Sequence, residues 1–191
     1  MNGIDENALI QRTLAGDARA FEYLVRRHQD GVAAFIWRIV PSALDREEVV
    51  QDVFLKAYRN LGRFRGNSSL STWLYSIAWR TAVSKTRRKQ IDAREYVDDI
   101  DSPGEAQMGS NTVESDEVSQ LLRASIARLP AEDRAIITLY HVQGCTIDEI
   151  SMIIEKPAGT IKSSLFRARK RLKDDLMLLV SGLEHPEDIL L

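Results

Sequence analysis

Nearly every stretch of this chain repeats its apolar residues with the period of an α-helix, and none alternates apolar with polar as a half-buried strand does. That feature confines the chain to an all-α fold. The run from Ala18 to Val40 sets Phe21, Leu24, Val25, Val32, Phe35, Ile36 and Ile39 on one face, and Pro41-Ser42 stops it. Asp5 and Asp17 each precede a periodic run and read as N-caps. Asp45 followed by Glu48 reads as an aspartate version of the capping box. It opens "REEVVQDVFLKAYRNL", with Val49, Val50, Val53, Phe54 and Ala57 on the core side. "GRFRGNSS" is a loop by composition, and a further helix is expected from Leu70 to Arg88.

The periodicity then lapses. "YVDDIDSPGEAQMGSNTVESDE" is rich in Pro, Gly, Ser and Asn and reads as a flexible acidic linker. Helical patterning resumes with "EVSQLLRASIARL", which ends at Pro130. "AEDRAIITLYHVQG" follows, with Gly144 in a terminating position. Thr146-x-x-Glu149 is a capping box opening "IDEISMII". A short break at Glu155-Lys156 precedes Pro157, a favoured first residue of the next helix. The expected architecture is two small helical domains, 1–93 and 117–180, joined by the linker 94–116 and followed by a tail at 181–191. The second domain carries a C-terminal helix-turn-helix.

Charge is distributed in the same blocks. Residues 1–95 hold 16 Lys/Arg against 11 Asp/Glu, residues 96–120 hold 7 acids and no base, and residues 121–191 hold 10 of each. This asymmetry says more than the formal net charge of -2. A single cysteine, Cys145, excludes an intrachain disulfide and fits a reducing cytoplasm. Runs such as "GVAAFIW" are too short to span a bilayer, and "MNGIDENALI" has acids where an export signal has bases. His141 and Cys145 stand four residues apart, but two ligands make a weak site. No metal, cofactor or catalytic residue is expected.

"GTIKSSLFRARKRLK", from Gly159 to Lys173, concentrates six Lys/Arg with no acid. At about 100° per residue, Ile161, Leu165, Ala168 and Leu172 form one narrow apolar stripe. The opposite face holds Ser163, Phe166, Arg167 and Lys170, with Lys162 and Ser164 on its flanks. Lys and Arg can read guanine edges in the major groove, and a phenyl ring can meet a thymine methyl. Free amides near Gly159 and Thr160 would suit a backbone phosphate. A solvated basic face is the plainer reading of the charges alone. The capped helix and tight break before it favour a helix-turn-helix reader.

The first domain interleaves aromatics with bases in "NLGRFRGNSSLSTWLYSIAWRTAVSKTRRK". Leu70, Trp73, Leu74, Ile77 and Thr81 follow core spacing, so Trp73 fits either core or surface. Tyr75 and Trp79 lie off that stripe, and exposed aromatics beside Arg and Lys can stack on unpaired bases. Asn67 and Ser68 of the loop can hydrogen-bond an extruded base.

These constellations, in this order, resemble the extracytoplasmic-function (ECF) sigma factors of bacterial RNA polymerase. The resemblance rests on "GDARAFEYLVRRH", "EEVVQDVFLKAYRNLGRFRG", "STWLYSIA" and "LPAEDRAIITLYHVQGCTIDEISMIIEKPAGTIKSSLFRARKRL". It implies that Glu48, Gln51, Asp52, Phe54 and Lys56 dock on the clamp helices of the polymerase's largest subunit, with a second contact at the flap. It implies that Phe64, Arg65, Asn67, Ser68, Trp73, Tyr75, Trp79 and Arg80 open and read the minus-ten element. It implies that Thr160, Lys162, Ser163, Ser164, Phe166, Arg167 and Lys170 read the minus-thirty-five element. The implied partners are core RNA polymerase, promoter DNA and an anti-sigma factor, often membrane-anchored. Such a partner would hold a cytoplasmic protein at the inner membrane face.

The chain departs from the family pattern at four positions. Arg80 stands where Asn is usual, Ser151 replaces Ala, Ser164 replaces Arg, and Leu74 replaces the second tryptophan of housekeeping sigma factors. The alternative reading is a stand-alone helix-turn-helix regulator that binds an operator without polymerase. A surface normally masked by a protein partner is compatible with either.

Overall fold

The described residues of the computed structural model are 5–96 and 117–181, with side chains described over 5–89 and 122–178. They form helices α1 (Glu6–Leu14), α2 (Ala18–Ile39), α3 (Ala43–Asn60), α4 (Leu70–Tyr96), α5 (Glu117–Arg128), α6 (Ala131–His141), α7 (Ile147–Ile154) and α8 (Ala158–Ser181). A 3-10 turn, Leu61–Arg63, follows α3. No strand occurs among the described residues, as the periodicity requires. The chain divides into two compact units, residues 1–106 with 152–154, and residues 107–151 with 155–191. The expected linker lies outside the described residues from position 97 onward, and the expected tail from 182.

In the first unit α2 packs on α1, α3 and α4, and α3 packs on α4. Asp17 caps α2 by accepting the amides of Arg19 and Ala20 at 3.0 and 3.2 Å, and Asp5 accepts that of Asn7. The core stripe of α2 is as expected: Leu24, Val32, Phe35, Ile36 and Ile39 are buried. Val49, Val53 and Ala57 of α3 and Leu70, Leu74 and Ala78 of α4, the helices packed against it, are buried as well. Truncating a fully buried residue such as Ile36 to Ala would cost about 2–5 kcal/mol.

Three expectations for this unit are corrected. The cap of α3 is Ser42, whose Oγ accepts the Asp45 amide at 3.4 Å. Asp45 instead lies buried inside the first turn, its carboxylate 2.5 Å from Lys89 Nζ and 3.9 Å from Lys85 Nζ. Two ammonium groups reaching over from α4 take the carboxylate away from capping. Helix α4 runs on to Tyr96, past the expected end at Arg88. Finally, α4 is buried at five consecutive positions, Leu74, Tyr75, Ser76, Ile77 and Ala78. Consecutive burial means a helix enclosed on all sides, not one with a single inner stripe. Tyr75 therefore packs edge-on to Phe35 with ring centroids 5.6 Å apart and is not an exposed stacking platform.

In the second unit α8 packs on α5 and α6. Leu129, Ala135, Ile136, Leu139, Ile150, Ile161, Leu165 and Ala168 are buried. The Thr146–Glu149 capping box is present in both directions. Gly144 takes the left-handed φ of 67° that its residue type permits, and Glu155 takes φ 61° at the end of α7. The Ser151 hydroxyl donates to the Lys156 carbonyl at 2.5 Å across that turn, and Lys156 pairs with Glu132 at 2.7 Å. Pro157 sits one position earlier than expected. It caps α8, its carbonyl accepting the amides of Thr160 and Ile161 at 2.8 and 3.1 Å.

Candidate nucleic-acid interface

The six bases of Gly159–Lys173 divide into two sets by helical angle. Lys162, Arg167, Lys170 and Lys173 are exposed on one side of α8, together with Thr160, Ser163 and Phe166. Phe166 is 72% exposed, far more than a packing role would leave it. Arg169 and Arg171 turn instead toward α6. Arg169 Nε donates to His141 Nε2 at 3.2 Å and its guanidinium lies 5.1 Å from the Tyr140 ring centroid. Arg171 meets Asp133 at 3.3 Å. Those two bases fasten the helix and leave the others to face outward. The helical angles could have revealed this, since Arg169 lies one turn beyond the buried Leu165.

Two expectations at this helix are corrected. Ser164 is only 3% exposed and belongs to the inner edge of α8, so it cannot touch DNA directly. Its Oγ accepts a hydrogen bond from Arg167 Nη2 at 3.1 Å. The Thr160 amide, expected free for a phosphate, is taken by Pro157. The hydroxyl of Ser163 likewise turns back, donating to the Gly159 carbonyl at 3.0 Å.

In the first unit the loop after α3 brings Phe64 onto Trp73, with ring centroids 5.4 Å apart and planes at 51°. Both rings and Trp79 are half-buried, while Arg65 and Asn67 are exposed. Ser68 is half-buried, its hydroxyl donating to the Ser69 carbonyl at 3.3 Å. Beside Trp73 lies a groove of about 390 Å³ lined by Lys56, Asn60, Arg63, Arg80 and Thr81 among others. Its walls carry three bases and no acid, so its field favours an anion. Arg80 Nε donates to the Ser76 carbonyl at 3.1 Å and Nη2 to Ser76 Oγ at 3.0 Å. Asn60 and Arg63 did not stand out in the sequence, because their convergence depends on where the 3-10 turn places them.

The residues expected to dock on polymerase do not all share one face. Glu48 and Gln51 are exposed and Asp52 is half-exposed on the outer side of α3, where Glu48 also pairs with Lys85 at 2.6 Å. Phe54 is half-buried at its edge. Lys56 lies on the other flank, in the groove, its Nζ donating to Thr81 Oγ1 at 3.1 Å. The outer face carries apolar residues that periodicity passed over: Leu44, Leu55 and Tyr58 are 85, 53 and 48% exposed. Apolar side chains held open among acids suit a protein partner with an apolar centre and basic rim. Among the described residues no cluster could hold a metal ion, and no helix is long and apolar enough to cross a membrane.

Known proteins match this chain across both units. Residues 24–91 match the family model of sigma-70 region 2, and residues 119–172 match that of sigma-70 region 4. The ECF RNA polymerase sigma-E factor of Escherichia coli K12 is 38% identical over 187 residues, covering 93% of this chain and 97% of the relative. The RNA polymerase sigma-H factor of Pseudomonas aeruginosa is 33% identical over 190 residues, covering 92 and 95%. The sigma factor RpoE of Bartonella quintana, solved with the anti-sigma factor NepR, has the same fold, with a TM-score of 0.69 at 24% identity over 84% of this chain and 98% of that one. CnrH, solved with the cytosolic domain of CnrY, has a TM-score of 0.63 at 20% identity over 93 and 99%. Matches in both units disfavour a stand-alone regulator, which needs only the helix-turn-helix. With its two ordered regions and nearly full-length relatives, the chain belongs to the ECF sigma factors of the sigma-70 family.

Proposed function

We propose that this sigma factor divides its work among the three surfaces described. The outer face of α3 docks on core RNA polymerase through Glu48, Gln51, Asp52 and Phe54, with Leu55 and Tyr58 at the centre. Phe64, Arg65, Asn67, Ser68, Trp73, Trp79 and Arg80, with Lys56 in the adjoining groove, hold the opened minus-ten strand. Thr160, Lys162, Ser163, Phe166, Arg167 and Lys170 lie on the minus-thirty-five duplex. The polymerase supplies the chemistry. The working boundaries are 1–96, to the end of α4, for docking and melting, 97–116 for the linker and 117–180 for the second reader.

One observation carries the reading: an exposed basic helix face and a basic aromatic groove occupy separate units of one chain. A single contiguous operator does not require that separation, whereas two spaced promoter elements do. An anti-sigma factor would cover the exposed apolar face of α3 and the basic faces until released. Anchored in a membrane, it would keep the protein at the cytoplasmic face.

Purified chain should bind promoter DNA poorly alone and should give promoter-dependent transcripts with core polymerase. Tight operator binding without polymerase, or no initiation from any fragment of a genomic library, would refute the reading.

A further inference from the structure

Arg80 and Arg167 share a local device. Each is an exposed arginine whose guanidinium is held by a buried serine about one turn earlier on its own helix. Ser164 is 3% exposed and accepts from Arg167 Nη2 at 3.1 Å. Ser76 is 9% exposed and accepts from Arg80 Nη2 at 3.0 Å at its hydroxyl and from Nε at its carbonyl. The Ser76 hydroxyl is itself fixed, donating to the Trp73 carbonyl at 2.7 Å. We propose that Ser76 and Ser164 are positioning residues that set the orientation of the two DNA-facing arginines before DNA arrives. The inference rests on the reading that Arg80 and Arg167 contact promoter DNA.

The physical case is one of entropy and angle. An arginine side chain is long and samples many rotamers in water, and landing on DNA freezes it. Its planar fork makes two parallel bonds to a guanine edge only when correctly oriented. A hydroxyl embedded in the helix cannot swing, so it fixes one edge of the guanidinium. The several donors of the guanidinium leave others for the base. The tether thus changes discrimination between bases more than general affinity for the phosphate backbone.

The same geometry changes the meaning of Ser164. Facing inward, it supplies no DNA contact of its own. It governs the contact made by Arg167, three residues on.

The test is a double-mutant cycle on the full chain assembled with core polymerase. Promoter use is read across all four bases at each minus-thirty-five position. Ser164→Ala should narrow discrimination at the position read by Arg167 by roughly 2- to 10-fold, the range expected for ordering one flexible side chain. It should leave the thermal melt and the salt dependence of binding in place, and Ser164→Thr should restore discrimination. In the Arg167→Ala background Ser164→Ala should change nothing further. Equal effects in the two backgrounds, or unchanged discrimination, would overturn the proposal while leaving Arg167 a reader. If Arg167→Ala itself leaves base preference unaltered, the underlying reading falls and the proposal with it. Ser76→Ala with Arg80→Ala, read at the minus-ten element, repeats the cycle in the other unit with the same expected outcome.

Discussion

Lys89 Nζ of α4 lies 2.5 Å from Asp45 Oδ2 of α3, closing an ion pair over a carboxylate that is largely shielded from water. Hydrogen bonding from Lys89 leads the causes that hold the Asp45 carboxyl below its ordinary value of 3.8, and burial acts against it. The folded state therefore keeps this group ionised where the unfolded chain would protonate it. That stabilisation is in full force above pH 3.8 and is lost as pH falls through the lowered folded value. Asp45→Asn should cost about 1 kcal/mol near neutral pH, the upper end for a partly solvated pair. The difference from wild type should vanish in strong acid. Urea denaturation at several pH values measures it.

Cys145 is buried, and burial followed by the charge of Glu149 pushes its thiol up to about 11. At pH 8 almost none is thiolate, the reactive form. Folded protein should resist alkylation by iodoacetamide at that pH, whereas denatured protein should react at the rate of a free thiol. Mass spectrometry of the alkylated chain distinguishes the two.

The His141 imidazole is held below its ordinary 6.5 by burial and by the nearby Arg169 guanidinium. Between that lowered value and 6.5 the unfolded chain binds more protons than the folded one. Stability should thus fall as pH drops through this window and stay level above it, as far as this group is concerned. His141→Gln should remove that part of the slope. Comparing denaturation curves of the two proteins from pH 8 to 5 isolates it from the other histidines.

Leu55 is an apolar side chain open to solvent, so Leu55→Asp should change folding stability by no more than about 0.5 kcal/mol. If the outer face of α3 docks on polymerase, the same change should weaken assembly roughly tenfold or more. Asp52→Lys should weaken assembly through charge and leave the second unit's DNA contacts intact. Competition for core polymerase against a labelled sigma factor reads both.

Tyr75 and Trp79 separate packing from surface chemistry. Tyr75→Ala removes a buried ring from the contact with Phe35 and should destabilise the first unit by about 3 kcal/mol. Trp79→Ala, at a half-exposed position, should cost nearer 1 kcal/mol and act mainly on promoter opening. Thermal melts alongside permanganate footprinting of the opened strand tell the two apart.

What the sequence made legible was local. Asp17 and the Thr146–Glu149 pair obey rules that span one helical turn, and the structure has them as expected. The stripe of Ile161, Leu165 and Ala168 needs only the helical period. What escaped depends on neighbours distant in the chain. Asp45 looked like a cap until Lys89 came within reach. Tyr75 looked exposed because a wheel drawn for one buried face cannot show that α2 and α3 enclose α4 together. Ser164 looked like a flank residue because its side depends on how closely α8 settles on α5 and α6. Exposure was legible where it follows from helical angle alone, at Lys162, Phe166, Arg167 and Lys170, and not where a second helix intervened.

The enclosure of α4 also bears on how such a protein can diverge. A helix buried through Leu74–Ala78 tolerates little change in volume or polarity along those turns. If the rim formed by Trp73, Trp79, Arg80 and the loop carrying Phe64 holds the minus-ten strand as proposed, drift in promoter taste is channelled there. There a substitution alters what is touched without disturbing what is packed. Paralogues within one genome could thus share an unaltered frame and part company at a handful of rim positions, each addressing a separate set of genes.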